Sequence, residues 1–142
     1  TVNGCDDYLN EVLDLSRFGE LVELKIGCNC FNYVSVMSIS RLPKLKGVEI
    51  GEKSFQNESA DSQLMVKNCP ALVSLKIGNQ SFKGFKRFNL SEVNGLKSMV
   101  IGDGCFKECD LVLRELKSVE SVCVGSGSFE KSRHTVVESL IW

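Results

Sequence analysis

Nucleophilic catalysis, metal binding and phosphate binding each need a recognisable set of residues, and the chain carries fragments of all three. Its single histidine, His134, stands in Arg133-His134-Thr135 with no acid-and-nucleophile pattern around it. A Ser/His/Asp or Cys/His site needs the imidazole packed against a nucleophile and oriented by an acid, so His134 reads as a solvent-facing or chain-end histidine. Seven cysteines, at 5, 28, 30, 69, 105, 109 and 123, contain no C-x-x-C pair and are odd in number. Free thiols are the simpler reading than a closed disulfide framework, which points to a reducing, intracellular compartment, with the cell surface or secretion as the alternative. The turns Gly102-Asp103-Gly104 and Gly125-Ser126-Gly127 look superficially like phosphate loops, but no helix and no Lys-Ser/Thr pair follows them. N-x-S sequons begin at Asn57, Asn79 and Asn89 and matter only in an exported chain. No catalytic, cofactor-binding or metal-binding residue emerges, and the expectation is a protein that is not an enzyme.

Composition narrows the classes further. The 142 residues include 17 basic and 18 acidic side chains, for a net charge of -1, with 43% hydrophobic and 25% charged residues. That balance describes a folded chain and argues against a nucleic-acid partner. No stretch approaches the roughly 18 consecutive apolar residues needed to cross a bilayer, and Thr1 to Asp7 lack the basic and apolar regions of a targeting signal, so no membrane insertion is expected. The length suits one domain, spanning 1–142.

The elements that would position any site are visible as an internal repeat. Ile26-Gly27, Ile50-Gly51, Ile77-Gly78, Ile101-Gly102 and Val124-Gly125 recur at spacings of 24, 27, 24 and 23 residues. Four residues after each glycine comes Phe31, Phe55, Phe82, Phe106 or Phe129, preceded by Cys30, Ser54, Ser81, Cys105 or Ser128. Before each glycine lies an apolar pair: Leu21 with Leu24, Leu45 with Val48, Leu72 with Leu75, Leu96 with Met99, and Val119 with Val122. The unit is L-x-x-[LVM]-x-[IV]-G-x-x-[SC]-F. A second apolar track precedes it, exemplified by Leu13, Leu15 and Phe18, by Met37, Ile39 and Leu42, and by Leu64, Val66 and Cys69.

Both tracks alternate with period two, so each unit supplies two short strands that cannot bury their apolar side chains alone and must stack on neighbouring units. The predicted fold is mainly β: a right-handed solenoid of about five 23–27-residue coils, ending near Phe31, Phe55, Phe82, Phe106 and Phe129, with two short parallel strands per coil and little helix. The phenylalanines should form an internal spine. The repeat glycines fit either a positive φ or a close approach between coils. The extra residues of the 27-residue unit belong in a surface loop over Gln56 to Gln63. A zinc site from Cys28, Cys30, Cys105 and Cys109 fails because the two pairs lie three coils apart, roughly 14–15 Å at the strand spacing. Cys5 and Cys28, each one residue past a glycine in adjacent coils, could approach within disulfide range, although two reduced thiols are the plainer reading.

The chain resembles leucine-rich-repeat proteins, and the L-x-x-L-x-[IL]-G-x-x-[AS]-F spacing is similar to the bacterial and protist class called BspA-like or Treponema-type. Ile101-Gly102-Asp103-Gly104-Cys105-Phe106-Lys107-Glu108-Cys109 matches the I-G-x-x-A-F-x-x-C pattern of that class most closely, whereas Val34, Glu58, Phe85 and Ser132 replace its final Cys in the other copies. The resemblance implies protein recognition, surface attachment or scaffolding, and it carries no catalytic residue over.

Outward positions of a solenoid repeat as ladders. On the main strand one ladder is Lys25, Glu49, Lys76, Val100 and Cys123, and the column before it is Glu23, Gly47, Ser74, Ser98 and Ser121. The candidate partner-binding face is therefore Glu23, Lys25, Glu49, Lys76, Val100 and Cys123. Alternating charges attract modestly at first, and the later rungs turn small and apolar. On the second strand Met65, Val112 and Val136 also face out. A binding patch around Val100, Cys123, Val112 and Val136 and ordinary β-propensity on a flat sheet both fit this pattern. The partner is another protein or a second copy; the alternative function is a structural, self-assembling or adhesive element that associates through uncapped solenoid ends, with Trp142 partly covering the last coil.

Overall fold

A computed structural model of the chain describes residues 11–138, the side chain of residue 138 excepted. Cys5, Trp142 and the outermost partial repeats lie outside the described residues. The period-two tracks form the strands β1 (Val12–Asp14), β2 (Glu23–Ile26), β3 (Val36–Ser40), β4 (Gly47–Ile50), β5 (Gln63–Lys67), β6 (Ser74–Ile77), β7 (Arg87–Ser91), β8 (Ser98–Ile101), β9 (Asp110–Arg114), β10 (Ser121–Val124) and β11 (Thr135–Glu138). Among the described residues there is no helix. The main strands make a five-stranded sheet in the order β10-β8-β6-β4-β2, and the second track makes a six-stranded sheet, β1-β3-β5-β7-β9-β11. Every pairing is parallel, and each joins equivalent stations of successive copies, as in Leu24↔Val48 and Leu75↔Met99. The molecule is a parallel β-solenoid of about five turns.

The inward residues of both sheets meet in one continuous core that includes Ile50, Leu75, Ile77, Met37, Leu64 and Leu90. Down its length runs the expected phenylalanine spine. Centroid separations are 5.5 Å for Phe31 to Phe55, 4.5 Å for Phe55 to Phe82, 5.2 Å for Phe82 to Phe106 and 5.3 Å for Phe106 to Phe129, all stacked. Phe85 and Phe88 abut it edge-on, at 4.8 Å from Phe82 and Phe106 respectively. Offset stacks with perpendicular flankers satisfy the ring quadrupoles while filling the interior.

The repeat glycines owe their place to close approach and not to a positive φ. A Cβ on Gly51 would stand 2.6 Å from the carbonyl carbon of Gly27, and one on Gly125 would stand 2.4 Å from that of Gly102. Left-handed backbone falls two residues later, at Asn29, Lys53, Gln80, Gly104 and Gly127, and again at the spine residues Phe31, Phe55, Phe82, Phe106 and Phe129. Arg41, Asn68, Glu92 and Glu115 provide a third left-handed corner after the second strand.

The small residue before each phenylalanine ties coil to coil. Ser54 Oγ donates to Gly27 O (2.9 Å) and accepts from the Cys30 N–H (3.1 Å). Ser81 Oγ donates to Gly51 O (2.6 Å) and accepts from the Ser54 N–H (3.1 Å). Ser128 Oγ does the same with Gly102 O (2.7 Å) and the Cys105 N–H (2.9 Å). At Cys105 the thiol donates to Gly78 O (3.2 Å), and the Ser81 N–H turns to Gly78 O at 3.3 Å instead of to a hydroxyl. A buried N–H or C=O left unmet costs about 1–3 kcal/mol, which explains why this station holds only small donors.

End coils depart from the inward pattern. Phe18 is 46% exposed, with the Arg17 guanidinium 5.1 Å over its ring, although Leu42, Cys69 and Val93 at the same station are fully buried. Val122 and Val124 of β10 are 39% and 48% exposed where their counterparts Leu75 and Ile77 are buried, because no described coil covers them.

Candidate functional site

The register places Lys25, Glu49, Lys76, Val100 and Cys123 on consecutive rungs of one column, with Glu23, Gly47, Ser74, Ser98 and Ser121 in the column beside it. The expected face is thus assembled in one plane on the outer side of the five-stranded sheet. Its side chains are exposed apart from the half-buried Val100 and Ser98 and the buried Gly47. Gly47 lies beneath the Glu23 carboxylate, with Oε2 2.5 Å from where a Cβ would be, so the glycine makes room for the acid to lie along the sheet. Lys25, Glu49 and Lys76 do not come within 4 Å of one another's charged groups among the described residues, so the alternation of sign sets a charge pattern without forming discrete ion pairs.

The second outward column is Ser38, Met65, Asn89, Val112 and Val136, on the six-stranded sheet. The apolar patch expected around Val100, Cys123, Val112 and Val136 is therefore divided. The two pairs project from different sheets whose inward faces share the core, so they do not form one surface. Two hollows of the second sheet flank that column, one near Ser38, Ser40 and Lys67 and one near Asn89, Asp110 and His134.

The remaining candidates occupy defined places. His134 is exposed, and its backbone supplies its bonds: its N–H donates to Asp110 Oδ1 (3.2 Å), and its carbonyl accepts from the Leu111 N–H (3.0 Å) and Ser132 Oγ (3.3 Å). The thiols of Cys28 and Cys123 are exposed, whereas those of Cys30, Cys69, Cys105 and Cys109 are buried. Burial pushes the thiols of Cys69, Cys105 and Cys109 above the ordinary value, with the neighbouring Asp110 charge adding to the rise at Cys109. These buried thiols act as small apolar groups and weak donors. No group of three or more metal-ligating side chains comes together among the described residues.

The sequons occupy three environments. Asn57 donates to Tyr33 O (3.0 Å) and accepts from the Ser59 N–H (2.8 Å), Asn79 accepts from the Asp103 N–H (2.9 Å), and Asn89 lies in β7 with a buried Oδ1 that has no partner among the described residues.

A further feature was not anticipated from the motifs. The turns after the spine residues carry Lys83 and Lys107, one residue past Phe82 and Phe106, and Lys131, two residues past Phe129, where Glu130 takes the first position. They border a groove of about 530 Å³ lined by Lys86, Arg87, Lys131 and Arg133, together with an adjoining hollow of about 260 Å³ lined by Lys83, Lys86 and Lys107. Tabulating charged residues by repeat station would have exposed Lys83 and Lys107 but not Lys131, because Glu130 holds that station in the last coil. Comparison of the chain with protein-family models, with curated proteins and with solved structures finds no match in any of the three.

Proposed function

We propose that the chain is a non-enzymatic protein-binding or scaffold module of leucine-rich-repeat type, similar to the BspA-like class, that uses the outer face of its five-stranded sheet. The observation that carries this reading is the in-register column Lys25, Glu49, Lys76, Val100 and Cys123, which offers a rigid, exposed surface without a convergent polar site. A flat sheet suits a protein surface better than a small substrate, which needs a concave pocket. Affinity capture compared among wild type, Lys76→Glu and Val100→Glu tests it, with circular dichroism to confirm the fold of each variant. Partners retained by wild type and lost by both variants support the reading; identical retention by all three overturns it.

A second reading, self-assembly through the solenoid end, is favoured by the exposed inward residues Val122 and Val124 and by Val137 at 51% exposure. An edge strand with open backbone groups above such residues can accept another strand. Light scattering over a concentration series with reductant present tests it: growth in mass that Val122→Lys abolishes supports end stacking, and a constant monomeric mass removes it.

A further inference from the structure

We infer that the basic groove along the later coils is a second binding surface, and that it takes an extended acidic segment of a protein. Its cations are Lys83, Lys86, Arg87, Lys107, Lys131 and Arg133. The backbone puts three of them in a file across successive coils, since the Lys107 N–H donates to Lys83 O (3.2 Å) and the Lys131 N–H to Lys107 O (2.8 Å). Like charges stacked at the strand spacing of roughly 4.7–4.9 Å repel. The fold does not require them, because the earlier coils hold Asn32 and Gln56 immediately after the spine residue.

Little within the groove neutralises these cations. Glu108 alone serves both Lys86 and Lys131, at 3.6 Å each. Lys83, Arg87, Lys107 and Arg133 have no carboxylate within 4 Å among the described residues. Asp110 Oδ1 accepts from the His134 N–H, and Glu58 packs over Gly84. Six of the chain's 17 basic side chains but only three of its 18 acidic ones line the two hollows, so the remainder of a chain with net charge -1 is acidic. Such segregation makes a local positive field that attracts an anion.

Shape and lining select the kind of anion. The longer third coil provides one wall through Glu58 and Ala60, and the shorter coils beyond it leave the hollow. The groove is open, and its cations come from successive coils. An extended peptide places side chains of one face roughly 6.6–6.8 Å apart, a longer step than the roughly 4.7–4.9 Å between coils, so it brings several flexible carboxylates along the file without a one-to-one register. No residue lining either hollow is aromatic, so the stacking platform that single-stranded nucleic acid uses is absent among the lining residues.

This inference shares the protein-binding reading but uses a different face, and the two can fail separately. The test is fluorescence anisotropy of a labelled oligoglutamate of about 12 residues, long enough to cross the file, with oligothymidylate as a competing probe. The expected result is saturable binding that falls at least about tenfold for the double variant Lys83→Gln/Lys107→Gln, which copies Gln56, and falls further as salt rises. Lys76→Glu, on the outer face of the five-stranded sheet and outside the lining of either hollow, should leave oligoglutamate affinity within about twofold even if it abolishes partner capture. Absence of saturable binding, or equal affinity in the double variant, overturns the inference. Tighter binding of oligothymidylate than of oligoglutamate overturns the assignment to an acidic protein segment.

Discussion

Removing the ring of Phe82 tests the aromatic spine at its most enclosed point. The side chain is fully buried, stacked at 4.5 Å on Phe55 and 5.2 Å on Phe106, and met edge-on by Phe85 at 4.8 Å. Phe→Ala in a core costs about 3–5 kcal/mol through lost transfer energy and the remaining cavity. Rings on both sides cannot easily collapse into the gap, so Phe82→Ala should fall in that range. The backbone adds a second, sharper expectation. Phe82 has φ +54°, and alanine inherits the left-handed strain of about 1–2 kcal/mol, whereas glycine relieves it at an entropic cost of about 0.5–1 kcal/mol. Phe82→Gly should therefore be no more destabilising than Phe82→Ala, the reverse of the usual order. Phe129, half-buried with one stacked neighbour, should lose about half as much on change to alanine. Urea unfolding followed by circular dichroism measures all three. A loss below about 1 kcal/mol at Phe82, or equal losses at Phe82 and Phe129, would refute the enclosed spine, and a glycine variant clearly worse than the alanine one would refute the left-handed backbone.

Ser81→Ala leaves Gly51 O and the buried Ser54 N–H without their shared hydroxyl, so urea unfolding should show a loss of about 2–3 kcal/mol. Cys105→Ser, although fully buried, should be neutral or stabilising by up to about 1 kcal/mol, because the hydroxyl offers the Ser81 N–H a stronger acceptor than its long 3.3 Å bond to Gly78 O. The raised thiols of Cys69, Cys105 and Cys109 stay protonated in the folded chain while the unfolded chain ionises near the ordinary value of 9.0. Their effect on stability is constant below that pH and becomes destabilising above it, by up to about 1.4 kcal/mol per pH unit for each thiol until the folded form ionises as well. Unfolding free energies measured at successive pH values above 9 should thus fall, with a shallower slope in Cys109→Ala, and a flat profile would contradict the burial of these thiols.

Much of the architecture was legible because one physical pattern is written five times. Alternation at Leu75 and Ile77, or at Leu64 and Val66, marks a strand, and the constant offset between copies forces equivalent stations into register, so the column Lys25-Glu49-Lys76-Val100-Cys123 could be read before any coordinates. The charged file was legible only in part, since Lys83 and Lys107 directly follow their spine residues while Lys131 stands one residue further on, behind Glu130. Their convergence on a groove was not, because the concavity comes from the step between a 27-residue coil and its shorter neighbours.

Sequence alone determined that two kinds of short strand alternate, that they stack in parallel, and that phenylalanine fills the same station in every coil. These follow from local periodicity and the need to bury apolar faces. Tertiary structure decided which of two reasons placed a glycine after each main strand, why serine or cysteine precedes each phenylalanine, and that Val112 and Val136 look away from Val100 and Cys123. Each of those depends on what the neighbouring coil or the opposite sheet presents at a distance of a few ångströms, and a single copy of the repeat cannot encode the contents of the next.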